Sequence, residues 1–190
     1  MNALKNGSDE SENSGKRWLV NLDEIGPHWK GVMPDSHDAM HDTVRSECLW
    51  GSLLAGGAGV EWYFGYRYPH TDLTCEDFRS RDNWWKQSTI ATQFVKQFPL
   101  EEMKAMDELI NAKNAYCLAK SGEIYIVYLP AGTQNAKLKI EANKELSIKW
   151  FNPREGGEQL DGTVKSVSSG IQYLGNPPSE IEKDWVVVVR

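Results

Sequence analysis

The sequence predicts a mixed chain, α/β then all-β. Residues 17–112 read as the last two βα units of an incomplete (β/α)8 barrel, and residues 113–190 as a small antiparallel β-sandwich. Three observations carry this. Residues 18–24, WLVNLDE, form an apolar run that ends in a carboxylate and then Gly26-Pro27. A second such run follows an intervening helix, Gly56 to Gly65 (GGAGVEWYFG). From about residue 113 the hydrophobic period changes from helical to alternating. A buried strand that delivers a carboxylate to its C-terminal end, then a helix, then another strand, is the repeating unit of such a barrel, where catalytic groups sit at those strand ends.

In chain order, residues 1–16 (MNALKNGSDESENSGK) are polar and have no apolar core segment of the kind an export signal carries. They are expected to be a disordered tail. The strand at 18–24 is apolar enough to be covered on both faces. Because side chains alternate along a strand, Asp23 and Glu24 point to opposite sides, and only one enters the barrel mouth. Glu24 is either a nucleophile there or a salt-bridged, inert strand-end residue.

Residues 27–41 make a long loop with three of the four histidines, His28, His37 and His41, beside Asp35 and Asp38. Convergence of His37, Asp38 and His41 on a metal is conceivable, but no recognised ligand spacing is present. A polar loop lining a substrate cleft, with Asp35 and His37 as binding residues, is the better reading, and a plain solvated loop the bland one. A helix is expected from Asp42 to Leu54, with Asp42 or Thr43 as its cap, Val44, Cys48 and Leu49 on its apolar face, and Gly56-Gly57 stopping it.

The strand at 58–64 carries Glu61 and Trp62; the indole either stacks on a sugar face or packs at the barrel rim. Residues 65–75 form a second polar loop with Tyr66, Tyr68 and His70, of which Tyr66 is a candidate substrate contact. Residues 76–98 read as an amphipathic helix, and 100–110 as a short further helical stretch. Beyond that, 115–119, 123–129, 136–141, 146–151, 163–168, 171–174 and 184–189 read as strands separated by Gly and Pro turns. Asn152-Pro-Arg154 reads as a turn whose arginine is placed to bridge to the barrel.

The 190-residue chain is 40% hydrophobic with eight tryptophans, which excludes global disorder. Six of the tryptophans precede residue 86, a density that suits either a carbohydrate platform or a core. A net charge of −6 without a basic stripe argues against a nucleic-acid partner. No apolar run reaches membrane-spanning length, so no membrane partner is expected. Cys48, Cys75 and Cys117 match no metal or redox spacing, and the glycines at 56, 57 and 59 precede a strand rather than the helix a phosphate cradle needs. No metal and no cofactor are therefore expected.

The runs Asn21–Gly26, Trp50–Gly65 and Glu76–Trp85 together resemble bacterial glycoside hydrolase-like (β/α)8 proteins of the apiosidase-like kind. Trp150–Arg154 and Asp184–Val189 resemble pieces of the β-sandwich that follows such barrels, which is labelled a collagen-binding domain of a collagenase. The resemblance covers residues 17–190. It implies that 18–24 is the seventh barrel strand and that Glu24 holds the position of the nucleophile in retaining relatives. Strand 58–64 would be the eighth, with Trp62 as a sugar-stacking wall. Glycoside hydrolysis needs a second carboxyl group about 5–9.5 Å from the first. The strand that would carry it lies outside this chain, so the chain is expected to be inactive alone. Full-length relatives would be expected to be secreted or periplasmic. A carbohydrate is the partner implied, and collagen the one the domain label adds. The rival reading is a non-catalytic collagen- or polysaccharide-binding module, with Tyr125, Tyr128, Trp150 and Phe151 as surface candidates that are as easily core. A third reading makes the sandwich a structural cap.

Overall fold

The computed structural model describes residues 2–15, 18–23, 28–59, 61–74 and 76–190. The chain divides into two compact units, Met1–Leu53 with Gly57–Phe94 and Leu54–Gly56 with Val95–Arg190.

The first unit opens with a helix, α1, Asn2–Asn13, where the composition predicts a disordered tail. Tertiary contact orders it. A Cβ on Gly7 would stand 3.0 Å from Val20 Cγ1, and Trp18 N–H donates to the buried Ser11 Oγ. Residues 18–23 and 61–64 take neither helical nor strand structure, so among the described residues the two expected barrel strands are absent. The reason is pairing. A parallel strand covered on both faces needs ladders on both edges. The expected strands at 18–24 and 58–64 meet instead through Ala58 N–H donating to Val20 C=O at 2.9 Å. Leu19 is consequently 90% exposed and Trp18 62%.

The expected helix after residue 42 is present, but it winds as a π-helix over Val44–Trp50 before α2, Gly51–Leu54. Thr43 is already helical and its side chain makes no cap. An α-period would put Val44, Cys48 and Leu49 on one face. The wider π turn, with bonds to the fifth residue on, buries Arg45, Leu49 and Trp50 instead. The Arg45 guanidinium is paired in place, with Nη1 on Met40 C=O at 2.7 Å and Nη2 on Asp42 Oδ1 at 2.6 Å.

The next helical segment starts as a 3-10 turn, Phe78–Arg81, and continues as α3, Asp82–Val95. Asp77 caps it, accepting from Arg79 N–H at 3.2 Å, and the Arg79 side chain beside it holds the Asp77 carboxyl below its usual range. Trp84, Gln87, Ser88, Ala91, Phe94 and Val95 are buried along α3, a stripe at i, i+3, i+4 and i+7 spacing. Trp50 packs edge-on to Phe94, ring centroids 5.6 Å apart.

The second unit is built on antiparallel pairs. Its strands are β1 Lys104–Ala105, β2 Tyr116–Lys120, β3 Ile124–Leu129, β4 Lys137–Ile140, β5 Leu146–Phe151, β6 Ser166–Val167, β7 Gly170–Tyr173 and β8 Trp185–Val189. A six-stranded sheet runs β1-β2-β3-β8-β5-β6, and β4 pairs with β7. Each of the seven expected strands is present. The helical stretch expected at 100–110 is only two 3-10 turns, Leu100–Glu102 and Asp107–Leu109, separated by β1. A two-residue strand is too short to show a period, so the sequence places the change of architecture at 113, later than the unit boundary.

Strand β8 lies between β3 and β5, with Val187 opposite Val127 on one side and Trp150 on the other. That position explains its unbroken valine run, since all five of its residues are buried. On β4, exposed Lys137 and Lys139 alternate with buried Leu138 and Ile140, which join Cys117, Tyr125, Val127, Trp150 and Val187 in one core. Tyr125, Tyr128, Trp150 and Phe151, the candidate surface aromatics, are all core residues. Tyr125 Oη accepts from Gly122 and Glu141 N–H, both at 3.0 Å, and donates to Glu141 C=O, so its hydroxyl is satisfied indoors.

Arg154 stays within this unit. Its guanidinium reaches Asp184 Oδ1 at 3.0 Å and Glu180 Oε2 at 2.7 Å, donates to Asp184 C=O, and lies 5.5 Å from the Trp185 ring centroid. Tyr128 Oη donates to Asp184 Oδ2 at 2.6 Å. A buried charge is tolerable only with its partners complete, which is why this arginine is fixed beside the entry to β8.

Candidate functional site

Most of the candidate site residues fall on two loops of the first unit, 28–41 and 61–74, organised around the start of α3. Arg81 is the hub. Fully buried, it donates from Nε to Val32 C=O at 2.7 Å and from Nη1 to His70 C=O at 3.1 Å and Ser80 Oγ at 3.0 Å. Its guanidinium lies over the Phe64 ring, 4.2 Å from the centroid. One side chain thus ties both loops to one helix start.

Asp35 makes the second tie. Its N–H donates to Ser80 C=O at 2.8 Å, and Oδ2 accepts from Asn83 N–H at 2.9 Å, at the positive end of α3. Oδ1 lies 2.7 Å from His41 Nε2. An ionised carboxylate only accepts, so the shared proton belongs to Nε2. His41 is fully buried, with φ at +50°, and its N–H donates to Asp38 Oδ1 at 3.0 Å. Its Nδ1 is 4.0 Å from Asp38 Oδ2 and makes no hydrogen bond among the described residues. The imidazole packs against Trp84 at 5.4 Å, and Trp84 meets Trp62 edge-on at 4.7 Å. A histidine with no exposed surface cannot reach a substrate; the Asp35–His41 pair pins the loop.

The remaining candidates are placed as follows. His37 is exposed, with Nδ1 3.0 Å from Ser36 Oγ and its ring 4.7 Å from Tyr68. Tyr66 is 54% exposed. Trp62 is half-buried and Glu61 exposed. The structure therefore brings Asp35, His41, Trp84 and Trp62 into one chain of contacts and leaves His37 and Tyr66 on the surface. Glu24 lies outside the described residues, and so does the end of the expected strand that carries it. Among the described residues no three His, Cys, Asp or Glu side chains converge as a metal site would require, and no helix is long and apolar enough to cross a membrane.

At the far end of the second loop, Glu76 lies 3.2 Å from His70 Nδ1. Its own backbone N–H, then Thr74, then His70 hold the Glu76 carboxyl below its usual range. Sequence reading missed the hub altogether. Arg81 and Trp84 lie within the Glu76–Trp85 run that carries the resemblance, but nothing in that run marks Arg81 as a buried tie between the loops. Cys48 is chemically quiet, since burial first and the Glu47 charge second push its thiol up to about 11.

Residues 102–190 match the family model described as "Putative collagen-binding domain of a collagenase". No curated protein matches the chain. Two solved structures are similar in fold. One, described as a glycoside hydrolase, is 14% identical with a TM-score of 0.62, and the likeness covers 97% of this chain and 46% of that one. The other, a glycoside hydrolase family 5 protein from Bacteroides vulgatus, is 14% identical with a TM-score of 0.63, covering 97% of this chain and 45% of that one. The chain thus spans under half the length of either, and at this identity the likeness is one of fold.

Proposed function

We propose that this chain is the C-terminal part of a carbohydrate-active, glycoside hydrolase-like protein. The observation that carries the reading is the fold likeness, which takes in 97% of this chain and under half of each glycoside hydrolase chain. Residues 17–112 then supply the end of an apiosidase-like barrel, in which the 18–24 and 58–64 segments pair as strands only beside the part of the barrel outside this chain. Glu24 is the nucleophile that attacks the anomeric carbon, and Trp62 is the wall against which the sugar stacks. Asp35, His37 and Tyr66 contact the substrate. The partner acid that protonates the leaving oxygen comes from a strand outside this chain. Residues 113–190 are the β-sandwich that follows the barrel.

The test is hydrolysis of aryl glycosides and natural polysaccharides by three proteins. They are the chain itself, the chain extended by the first six βα units of a glycoside hydrolase barrel, and the Glu24→Gln variant of the extended protein. Activity in the extended protein alone, lost in Glu24→Gln, is the expected result. A folded extended protein that hydrolyses nothing would remove the enzymatic reading.

A second reading rests on the family match over residues 102–190. Here the second unit is a non-catalytic module that holds collagen or a polysaccharide. Retention of the chain on immobilised collagen or glycan, without hydrolysis by the extended protein, is the result that favours it.

A further inference from the structure

The β4–β7 pair of the second unit has one closed edge and one open edge. Its register sets Lys137 opposite Tyr173, Leu138 opposite Gln172, Lys139 opposite Ile171 and Ile140 opposite Gly170. Leu174 N–H donates to Ala136 C=O at 3.0 Å, which fixes the phase of the ladder. Bonded and non-bonded pairs alternate along an antiparallel ladder. Leu138–Gln172 and Ile140–Gly170 are therefore bonded pairs, and the N–H and C=O of Lys137, Lys139, Ile171 and Tyr173 point outward. On β4 that outer edge is closed. Asn111 N–H donates to Lys137 C=O at 3.1 Å, and Lys137 N–H donates to Asn111 Oδ1 at 2.7 Å. On β7 the N–H and C=O of Ile171 and Tyr173 have no hydrogen-bond partner among the described residues.

Free edges are ordinarily blunted by a lysine, a proline or extreme shortness. At the ends of the six-stranded sheet, β1 and β6 are two residues long. β7, Gly170–Tyr173, is longer and has neither a lysine nor a proline. Its Ile171 side chain is 73% exposed, and Tyr173 shares the same wet face.

A second copy of this edge complements the first. With a two-fold axis through Gln172, Ile171 of each copy lies opposite Tyr173 of the other. Each such pair exchanges two N–H to C=O bonds, so the two pairs together use every outward donor and acceptor of both residues. Other antiparallel registers of β7 on itself pair Ile171 with Ile171 or Tyr173 with Tyr173 and use only half of them. The side chains obey the same register. Each row on the wet face then reads Lys139, Ile171, and Tyr173 and Lys137 of the second copy. A β-branched residue against an aromatic ring is a favourable cross-strand pair. The lysines fall at the ends of the row, about 14 Å apart, which is beyond the screening length of about 8–10 Å. We propose that β7 is a self-association edge through which two copies of this chain form one four-stranded sheet, β4-β7-β7-β4. The inference does not depend on the glycoside hydrolase reading.

The test is sedimentation equilibrium of the full chain from about 10 μM to about 1 mM, the range that suits so short an edge. The weight-average mass should rise from one chain toward two and stop there, because the joined edges leave no outward group of Ile171 or Tyr173 open. Ile171→Lys combined with Tyr173→Lys sets lysine against lysine in both rows and should weaken association at least about tenfold. Ile171→Glu combined with Tyr173→Lys sets glutamate against lysine in both rows and should restore it. Leu73→Lys, at an exposed apolar site of the first unit, should leave association unchanged. Far-UV circular dichroism reports folding of each variant, and Ile171→Lys alone carries the test if a double variant does not fold. A wild-type chain that stays single at about 1 mM overturns the proposal and leaves the edge to a strand of another protein. Undiminished association of a folded lysine variant, or a glutamate–lysine variant as weak as the double-lysine one, overturns it too.

Discussion

Two apolar runs, residues 18–24 and 184–189, both read as strands in the sequence. In the structure they part company. All five residues of β8 are buried, whereas Leu19 is 90% exposed and 18–23 form no strand. The difference lies in the neighbours. β8 has β3 on one edge and β5 on the other, so its valines meet side chains on both faces. Residues 18–23 have no such pair of partners among the described residues. An apolar run states what a segment needs, and only the rest of the fold decides whether the need is met.

The comparison can be broken at four places. The largest effect is expected in the second unit. Asp184→Ala leaves Arg154 and Tyr128 buried with partners missing, and should cost about 3–5 kcal/mol in urea denaturation. A loss below about 1 kcal/mol would mean that the entry to β8 does not depend on this network.

Cys48 comes next. With its thiol pushed up to about 11 from 9.0, its alkylation at pH 8 should run about a hundredfold slower than that of an ordinary thiol. The rate should climb about tenfold per pH unit until pH approaches the thiol's own value, because only the thiolate reacts. Peptide mass spectrometry after timed iodoacetamide labelling reads both Cys48 and the buried Cys117. An ordinary rate at Cys48 beside a protected Cys117 would show that the first unit opens while the second stays closed.

Asp35→Ala should cost about 1–3 kcal/mol, because it strips His41 Nε2 and Asn83 N–H of their acceptor. Thermal melts of the variant beside Asp35→Asn measure it; equal, negligible losses would show that the loop is not pinned there. The smallest effect is Leu19→Ser, which should stay within about 0.5 kcal/mol. A loss of about 2–4 kcal/mol instead would show Leu19 buried, as the strand expected at 18–24 requires.

The second unit was the more legible because antiparallel pairing writes itself locally. Lys137, Lys139 and the apolar residues between them announce one wet face and one dry one, and the glycine and proline turns set the strand limits. β1 escaped because two residues show no period. In the first unit the helices were legible from spacing and from Asp77, although the helix, wound as π, buries Arg45 and leaves Cys48 half-buried. The loops were legible as loops, but not their internal order. Nothing local to Arg81 or His41 says that one will bind Val32 and His70 carbonyls and the other Asp35. Such contacts are made by side chains far apart in sequence, and hydropathy carries no trace of them.

The place of β8 also bears on how the chain is made. Synthesis runs from the N-terminus, so β1, β2 and β3 emerge first as a meander, and β5 with β6 later as a hairpin. The strand that joins them in the sheet is translated after both. Until Trp185–Val189 emerges, β3 and β5 each present an unpaired apolar edge, which is the surface that recruits neighbouring nascent chains or holding chaperones. The two halves of the sheet wait for one late strand, and its insertion closes both edges in a single step.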